Sequence, residues 1–146
     1  MIEYRLQFEQ LIQEISSNEV EFFNTKVQKL EFRDHLNRIH SVFKFGKSKE
    51  PLVKFHLIGE DLELLQYNEK FNSLLKTIEV LKEKGGYLIF MRRDVSHDIK
   101  VLGIGAQILK ALGVNDFKLI SFSNVNEKQF ALISGFGLRI LEKIEI

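Results

Sequence analysis

Histidine and cysteine side chains limit the metal chemistry open to this sequence, which has four histidines and no cysteine. Without thiols the chain can form neither a disulfide bond nor a thiolate-bound zinc site. His35 and His40 are not one helical turn apart, and they fall in a stretch typical of strands and turns. We therefore predict no metal site and no cofactor. The histidines are interpreted as surface or hydrogen-bonded side chains, at His35, His40, His56 and His97.

A second candidate for a binding site is the glycine-containing stretch 103–114, which has the sequence G-I-G-A-Q-I-L-K-A-L-G-V. Gly103 and Gly105 are spaced as in a dinucleotide-binding loop, but Ile108 replaces the third glycine of that motif and no strand directly precedes it. Gly113 stands where a left-handed helix cap is expected. The stretch therefore predicts a helix packed on a sheet, with an apolar face formed by Ile104, Ile108 and Leu112.

Lysines form a third candidate in the middle of the chain. They could contact phosphate groups, but a solvated hairpin loop is the favoured interpretation of such a run of charge. The residues concerned are Lys44, Lys47, Lys49 and Lys54.

The string G-I-G-A-Q-I-L, at residues 103–109, resembles the corresponding motif of the GTP cyclohydrolase II family. The likeness continues through 118–120 and through G-F-G-L-R-I-L-E-K-I at 135–144, and residues 82–90 are also similar. Residues 2–5 resemble the connector of two-domain riboflavin-pathway proteins, in which a 3,4-dihydroxy-2-butanone 4-phosphate synthase domain precedes the cyclohydrolase domain. The resemblance implies a C-terminal domain of such a protein, with the upstream synthase domain as a partner in the same chain.

The resemblance also assigns candidate site residues. Asp98 matches the aspartate to which the family's acid–base work is assigned, and Lys100 stands where the family has an arginine proposed to attack the α-phosphate; both are catalytic only if activity survives. Arg92 and Ser121 match substrate-binding positions. Lysine can bind phosphate but lacks the bidentate fork of arginine. An aspartate two residues from a lysine is as often an exposed charge pair as it is part of a catalytic site.

The family's zinc site has no counterpart here. Its cysteine pair aligns with Tyr67 and Glu69, and its first cysteine falls near residues 57–61, where there is no sulfur. His56 occupies the place of a family histidine that is not a zinc ligand. The family tyrosine becomes Phe90, a helix and loop between Asp94 and Asp98 are missing, and the phosphate-contacting lysine is unmatched. The joint loss of these features indicates a retired active site.

Three functions follow from this pattern. The first is a catalytically degenerate GTP cyclohydrolase II-like domain with a structural, oligomerisation or regulatory role beside the synthase. The second is a module that binds GTP or a related nucleotide or metabolite without hydrolysing it. The third is an active cyclohydrolase with metal-free chemistry, which would need Asp98 or Lys100 to have a shifted pKa.

The elements that must position these residues indicate one α+β domain. We expect a connector helix within 1–18 and a GTP cyclohydrolase II-like domain over 19–146. An antiparallel meander should follow the helix, and then a β-α-β-α-β half with parallel pairing. The expected strands are 27–32, 39–45, 52–58, 87–91, 117–122 and 139–146, and the expected helices are 2–16, 61–84, one from about 103, and a short one near 124.

Composition excludes some classes of partner. The net charge is +1, so the chain lacks the basic surface that nucleic-acid binding requires. No apolar run is long enough to span a membrane, and no signal peptide is recognisable, so a cytoplasmic protein is expected. Because members of the resembled family pair as dimers, a homodimer is expected as well.

Overall fold

The computed structural model describes residues 12–58, 65, 66, 68–92, 98–121 and 137–146, and for 98–102 and 121 it describes the backbone alone. Within these ranges the chain forms seven strands and two helices. The strands are β1 (Ile12–Phe22), β2 (Thr25–Asp34), β3 (Ile39–Phe45), β4 (Leu52–Ile58), β5 (Gly86–Arg92), β6 (Asp116–Ser121) and β7 (Arg139–Glu145). The helices are α1 (Asn68–Lys84) and α2 (Asp98–Ala111). The α+β prediction is confirmed at this level.

All seven strands belong to one mixed sheet with the order β1-β2-β3-β5-β4-β6-β7. The pairs β1–β2, β2–β3 and β3–β5 are antiparallel, whereas β4–β5, β4–β6 and β6–β7 are parallel. The predicted meander is therefore wrong at β4, because β5 lies between β3 and β4. The residues of β4 were correctly predicted as a strand, but strand composition does not tell which neighbour a strand chooses.

The helix predicted over residues 2–16 is wrong for residues 12–16, which belong to β1; the rest of that prediction lies outside the described residues. The register of β1 on β2 shifts between Glu14 and Ser16, so Ile15 forms a bulge. A bulge moves the alternation of a strand by one residue, which gives Ile12 and Ile15 the spacing of a helix face. Phe23 and Asn24 then turn the chain with positive φ values of 50° and 61°, as a two-residue hairpin requires.

Each face of the sheet is covered by one helix. α1 packs on a cluster built from Val27, Phe45, Leu52, Ile78, Leu81, Leu88 and Ile120. α2 packs on the other face, in a cluster that includes Phe32, Val42, Val53, Ile89, Met91, Ile104, Ile108, Leu109 and Phe117. β5 is therefore covered on both sides, as its continuous apolar sequence predicts.

Two glycines explain why α2 has its sequence. Gly105 faces the sheet so closely that a Cβ there would lie 2.9 Å from the Phe55 ring. Gly113 has φ of 77°, and the N–H groups of Gly113 and Val114 donate to the carbonyls of Lys110 and Leu109. This is the predicted left-handed cap. α2 begins at Asp98, five residues earlier than the glycine string indicated.

The other predicted elements hold where they are described. α1 ends at Lys84 as expected, and its predicted start at Asp61 and the short helix near 124 lie outside the described residues. No described helix has both the length and the apolar character needed to cross a membrane.

Candidate functional site

The predicted site residues lie toward the carboxyl ends of parallel strands, where α/β sheets commonly place ligands. Arg92 ends β5 and pairs in register with Ile58, the end of β4. α2 begins at Asp98, six residues after Arg92, so the backbone of Asp98 and Lys100 forms the first turn of that helix.

Ser121 ends β6, on the far side of β4 from β5. Leu52 and Val53 of β4 pair with Lys118 and Leu119 of β6, and the same register places Ser121 beside Phe55, three residues short of Ile58. At about 3.3 Å per residue, Ser121 is thus set back from the end of β4 by about 10 Å. The structure brings Arg92 and the start of α2 to the carboxyl ends of β4 and β5. Ser121 lies further from these ends, toward the middle of β4. The roles of these residues remain predictions.

A buried network holds the end of β5. His40 is fully buried, and its Nδ1 accepts a hydrogen bond of 3.0 Å from the backbone N–H of Arg92. Its Nε2 lies 2.7 Å from Oδ2 of Asp34. Because Nδ1 is an acceptor here, the proton of the neutral ring resides on Nε2 and is donated to the carboxylate. The side chain of Arg92 is exposed, so its backbone is held while its guanidinium faces solvent.

Asp34 is the centre of this network, and its side chain is almost completely buried. Besides His40, it accepts hydrogen bonds from the backbone N–H groups of Leu36 and Arg38 and from Nε of Arg38, at 2.8, 3.0 and 2.7 Å. Burial alone would raise the pKa of Asp34, but these donors outweigh it and the pKa is lowered. Four hydrogen bonds thus compensate a buried carboxylate.

Burial also lowers the pKa of His40. Asp34 opposes this change, whereas the charges of Arg38 and Arg92 add to it, and the net pKa lies below the ordinary value. The ring is therefore neutral near pH 7, and its contact with Asp34 is a hydrogen bond to an anion. The Asp34–His40 network is accordingly a structural clamp on the end of β5.

A different group of side chains lies on the α1 face of β4. Lys54 and His56 pair with Leu88 and Phe90 of β5. The His56 and Phe90 rings pack edge to face, with their centroids 5.4 Å apart. Burial lowers the pKa of Lys54. Burial also lowers the pKa of His56, and the nearby charges of Lys54 and Lys70 lower it further. We call Lys54, His56 and Lys70 the cationic patch.

The patch corrects one prediction, because Lys54 lies within β4 and not in a solvated hairpin loop. Within the described ranges, no carboxylate forms an ion pair with Lys54. A partly buried ammonium without a carboxylate partner is unfavourable on its own and is the kind of group that an anion would stabilise. The loop residue Lys47, together with Lys44 at the end of β3, lines a small cavity of about 140 Å³ at the opposite end of β5.

The residues present do not fit the zinc ion of the resembled family. The chain has no cysteine, and the described residues contain no group of three or more histidine or carboxylate side chains arranged to hold a metal. Glu69 is exposed on α1, and Tyr67 and His97 lie outside the described residues. His35 is exposed and His40 is hydrogen-bonded, as the sequence analysis predicted for these two histidines.

Asp34 and His40 were not singled out as a pair by sequence reasoning. A signal was present, since alternation along β3 sets His40 on the same face as the core residue Val42. A histidine on a buried face needs partners, and Asp34 closes the preceding strand just before a turn.

Comparisons with known proteins identify the proteins that this chain resembles. A family model described as GTP cyclohydrolase II matches residues 91–145. A 3,4-dihydroxy-2-butanone 4-phosphate synthase of Helicobacter hepaticus is 45% identical over 160 residues, which cover all of this chain and 45% of the relative. The riboflavin biosynthesis protein RibBA of Aquifex aeolicus is 35% identical over 68 residues, covering 45% of this chain and 16% of that protein.

A solved structure shares the fold. The crystal structure of RibBX, a two-domain 3,4-dihydroxy-2-butanone 4-phosphate synthase from A. baumannii, superposes with a TM-score of 0.63 at 19% identity. The match covers 99% of this chain and 43% of that one. The chain thus spans less than half the length of the H. hepaticus and RibBX proteins that it matches. Along its whole length, it is similar to one part of riboflavin-biosynthesis proteins of the 3,4-dihydroxy-2-butanone 4-phosphate synthase type.

Proposed function

We propose that this chain is a catalytically degenerate GTP cyclohydrolase II-like domain of a riboflavin-biosynthesis protein. Synthase activity would reside in the other part of the longer protein, and this domain would act in structure, oligomerisation or regulation. The observation that supports the proposal is the G-I-G-A-Q-I-L string on α2, where Gly105 packs on Phe55, in a chain that has no thiolate. Without a bound Lewis acid, water is a weak nucleophile near neutral pH.

The proposal extends to organisation and location. β1 runs through the boundary expected between residues 18 and 19, so we now set the start of the domain at or before Ile12. We further propose that the longer protein carries the synthase domain upstream, that it forms a homodimer, and that it works in the cytoplasm. Size and cross-linking measurements on the longer protein test the dimer.

The direct test is an assay for formate release from GTP, with zinc and magnesium supplied. We expect no turnover above that of a denatured sample. The matched variants are Asp98→Ala and Asp116→Ala, since the side chain of Asp116 is partly exposed on β6 and pairs with Arg139. Turnover that Asp98→Ala abolishes and Asp116→Ala preserves would refute the degenerate site and support the third function, an active enzyme with altered chemistry.

The cationic patch favours a second function, a module that binds a nucleotide or phosphorylated metabolite without hydrolysing it. A lysine whose pKa is lowered by burial, close to a second lysine and a histidine, gains from a bound polyanion. Calorimetric titration with GTP and GMP tests this function. Heat that disappears in Lys54→Met and persists in Lys26→Met supports it, because Lys26 is exposed on the β1–β2 hairpin. The absence of binding heat at millimolar nucleotide would reject this function.

A further inference from the structure

The pairing between β3 and β5 is continued at one end by a side chain. The antiparallel backbone pairs extend to Ser41–Phe90, two residues before Arg92, which is the last residue of β5. Beyond them, the backbone N–H of Arg92 donates to Nδ1 of His40 on β3, at 3.0 Å. The hydrogen bond that fastens the end of β5 to β3 is therefore accepted by an imidazole ring, which can gain a proton, and not by a peptide carbonyl.

Protonation changes which hydrogen bonds the His40 ring can make. The neutral ring accepts from Arg92 through Nδ1 and donates to Oδ2 of Asp34 through Nε2, so both contacts are hydrogen bonds. A protonated ring carries a hydrogen on each nitrogen. Nε2 would still donate to the Asp34 carboxylate, but Nδ1–H and the N–H of Arg92 would face each other as two donors. The contact between His40 and Arg92 therefore exists only while the ring is neutral.

When the contact is lost, the structure favours movement of Arg92 over movement of the ring. His40 is fully buried, and Nε2 is held by Asp34, whose carboxylate accepts three further hydrogen bonds. Arg92 has an exposed side chain, and its pairing with Ile58 is the last of the β4–β5 ladder. The end of a strand opens at a lower free-energy cost than a buried and anchored group, because fewer contacts are broken.

The charges around His40 set the condition under which it gains a proton. Charged side chains reach this face of the sheet from several elements: Asp34 on β2, Arg38 in the turn between β2 and β3, Arg92 on β5, Glu14 on β1 and Lys110 on α2. Glu14 and Lys110 are exposed. Burial lowers the pKa of His40, Asp34 opposes this change, and the two arginine charges add to it. The ring is therefore neutral near pH 7 and gains its proton in acidic solution.

We propose that the Asp34–His40 pair is a proton-operated latch on the end of β5: the neutral ring holds the backbone N–H of Arg92, and the protonated ring releases it. Release frees the backbone that carries Arg92, one of the predicted substrate-binding residues, while the rest of β5 keeps its pairing. The latch requires no ligand, and it depends neither on loss of cyclohydrolase activity nor on nucleotide binding. The proposal therefore goes beyond the function proposed above.

NMR of the isotope-labelled full chain tests the latch directly. At about pH 7.5, where the ring is neutral, a scalar coupling should be detected across the hydrogen bond between the amide nitrogen of Arg92 and Nδ1 of His40. As the pH falls to about 4.5, the coupling should disappear, and the Arg92 amide signal should shift with the same midpoint as the His40 ring protons. The amide signal of Ile89, in the middle of β5, should stay in place. No coupling at the higher pH, an Arg92 signal that does not follow His40, an equal shift at Ile89, or unfolding of the chain before His40 titrates would overturn the proposal.

Two variants attribute the change to His40. His40→Gln has no titratable ring, so its Arg92 amide signal should stay constant over the same pH range. His56→Gln is the matched control, because it removes a histidine that packs on Phe90 on the other face of the sheet. It should leave the titration of the Arg92 signal unchanged. A shift of Arg92 that persists in His40→Gln, or that disappears in His56→Gln, would show that another group controls the end of β5 and would overturn the proposal.

Discussion

The two internal histidines lie on opposite faces of the same sheet and differ in their neighbours. His40 has a partner for each ring nitrogen, a carboxylate on one side and a backbone N–H on the other. His56 has an aromatic edge and two lysine charges nearby. Burial lowers the pKa of both rings, but a carboxylate opposes the change only at His40. Hydrogen-bonded polar groups hold a structure together, whereas a partly buried lysine such as Lys54 marks a surface that an anion would stabilise.

The largest expected effect on stability comes from removing Asp34, the carboxylate that binds His40. Asp34→Ala leaves His40, Arg38 and two backbone N–H groups without their acceptor in a buried place, so we expect a loss of about 3–5 kcal/mol in the free energy of unfolding. Urea denaturation measures it. Asp116→Ala is the control, since its exposed ion pair with Arg139 should be worth less than about 1 kcal/mol. A small effect at Asp34 would mean that the network does not clamp β5.

The pH dependence of stability tests the neutral state of His40. Because its folded pKa is lowered, the unfolded chain binds more protons below about pH 6.5, so stability is fully present above that pH and falls as the pH drops. The slope for one such group is at most about 1.4 kcal/mol per pH unit. Asp34 adds nothing in this window, since its pKa is also lowered and starts from a lower value.

His40→Gln keeps a donor and an acceptor but cannot titrate, so it should flatten the slope of unfolding free energy between about pH 6.5 and 5. The charged groups that act on His40 are Asp34, Arg38 and Arg92. His56→Gln is the parallel control and should remove its own share of the slope. A slope unchanged by His40→Gln would show that its pKa is not lowered.

Removing charge from the cationic patch should raise the free energy of unfolding, whereas Asp34→Ala should lower it. Lys54→Met keeps the apolar stem in β4 and removes an ammonium that burial disfavours, so we expect a gain of about 0.5–1 kcal/mol after allowing for partial solvent screening. Lys26→Met, on the exposed hairpin, should be neutral. Destabilisation by Lys54→Met would mean that the charge is already compensated.

The smallest expected effect is on the titration of His56 itself. Pyrophosphate bound near Lys54 should raise the pKa of His56 by adding negative charge, and it should leave the pKa of His40 unchanged behind the sheet. Two-dimensional NMR titration of the histidine ring protons follows both groups in one sample. Equal shifts of both rings would indicate a general ionic effect and would remove the evidence for an anion site.

Local patterns predicted much of this fold and little of the site. The cap at Gly113, the buried strand β5 and the end of α1 follow from residues within a few positions of each other. The bulge at Ile15 gave the start of β1 the apolar spacing of a helix, so this segment was predicted wrongly. The position of β5 between β3 and β4 depends on pairing between distant segments. The contact between His40 and Arg92 joins residues 52 positions apart, so no local pattern encodes it. The strand over 52–58 was predicted, but the loop interpretation of the lysine run included Lys54, since charge alone does not distinguish a partly buried strand position from a solvated loop.

The glutamates of β1 have a consequence for self-association. Among the strands that the structure describes, β1 lies at one border of the sheet, and Glu14, Glu19 and Glu21 are exposed along it beside the Ile15 bulge. If two copies joined these borders about a twofold axis, like carboxylates would meet and the bulge would interrupt the ladder. Self-pairing of β1 to make a continuous fourteen-stranded ribbon is therefore disfavoured, and a pair of subunits would have to meet through other surfaces.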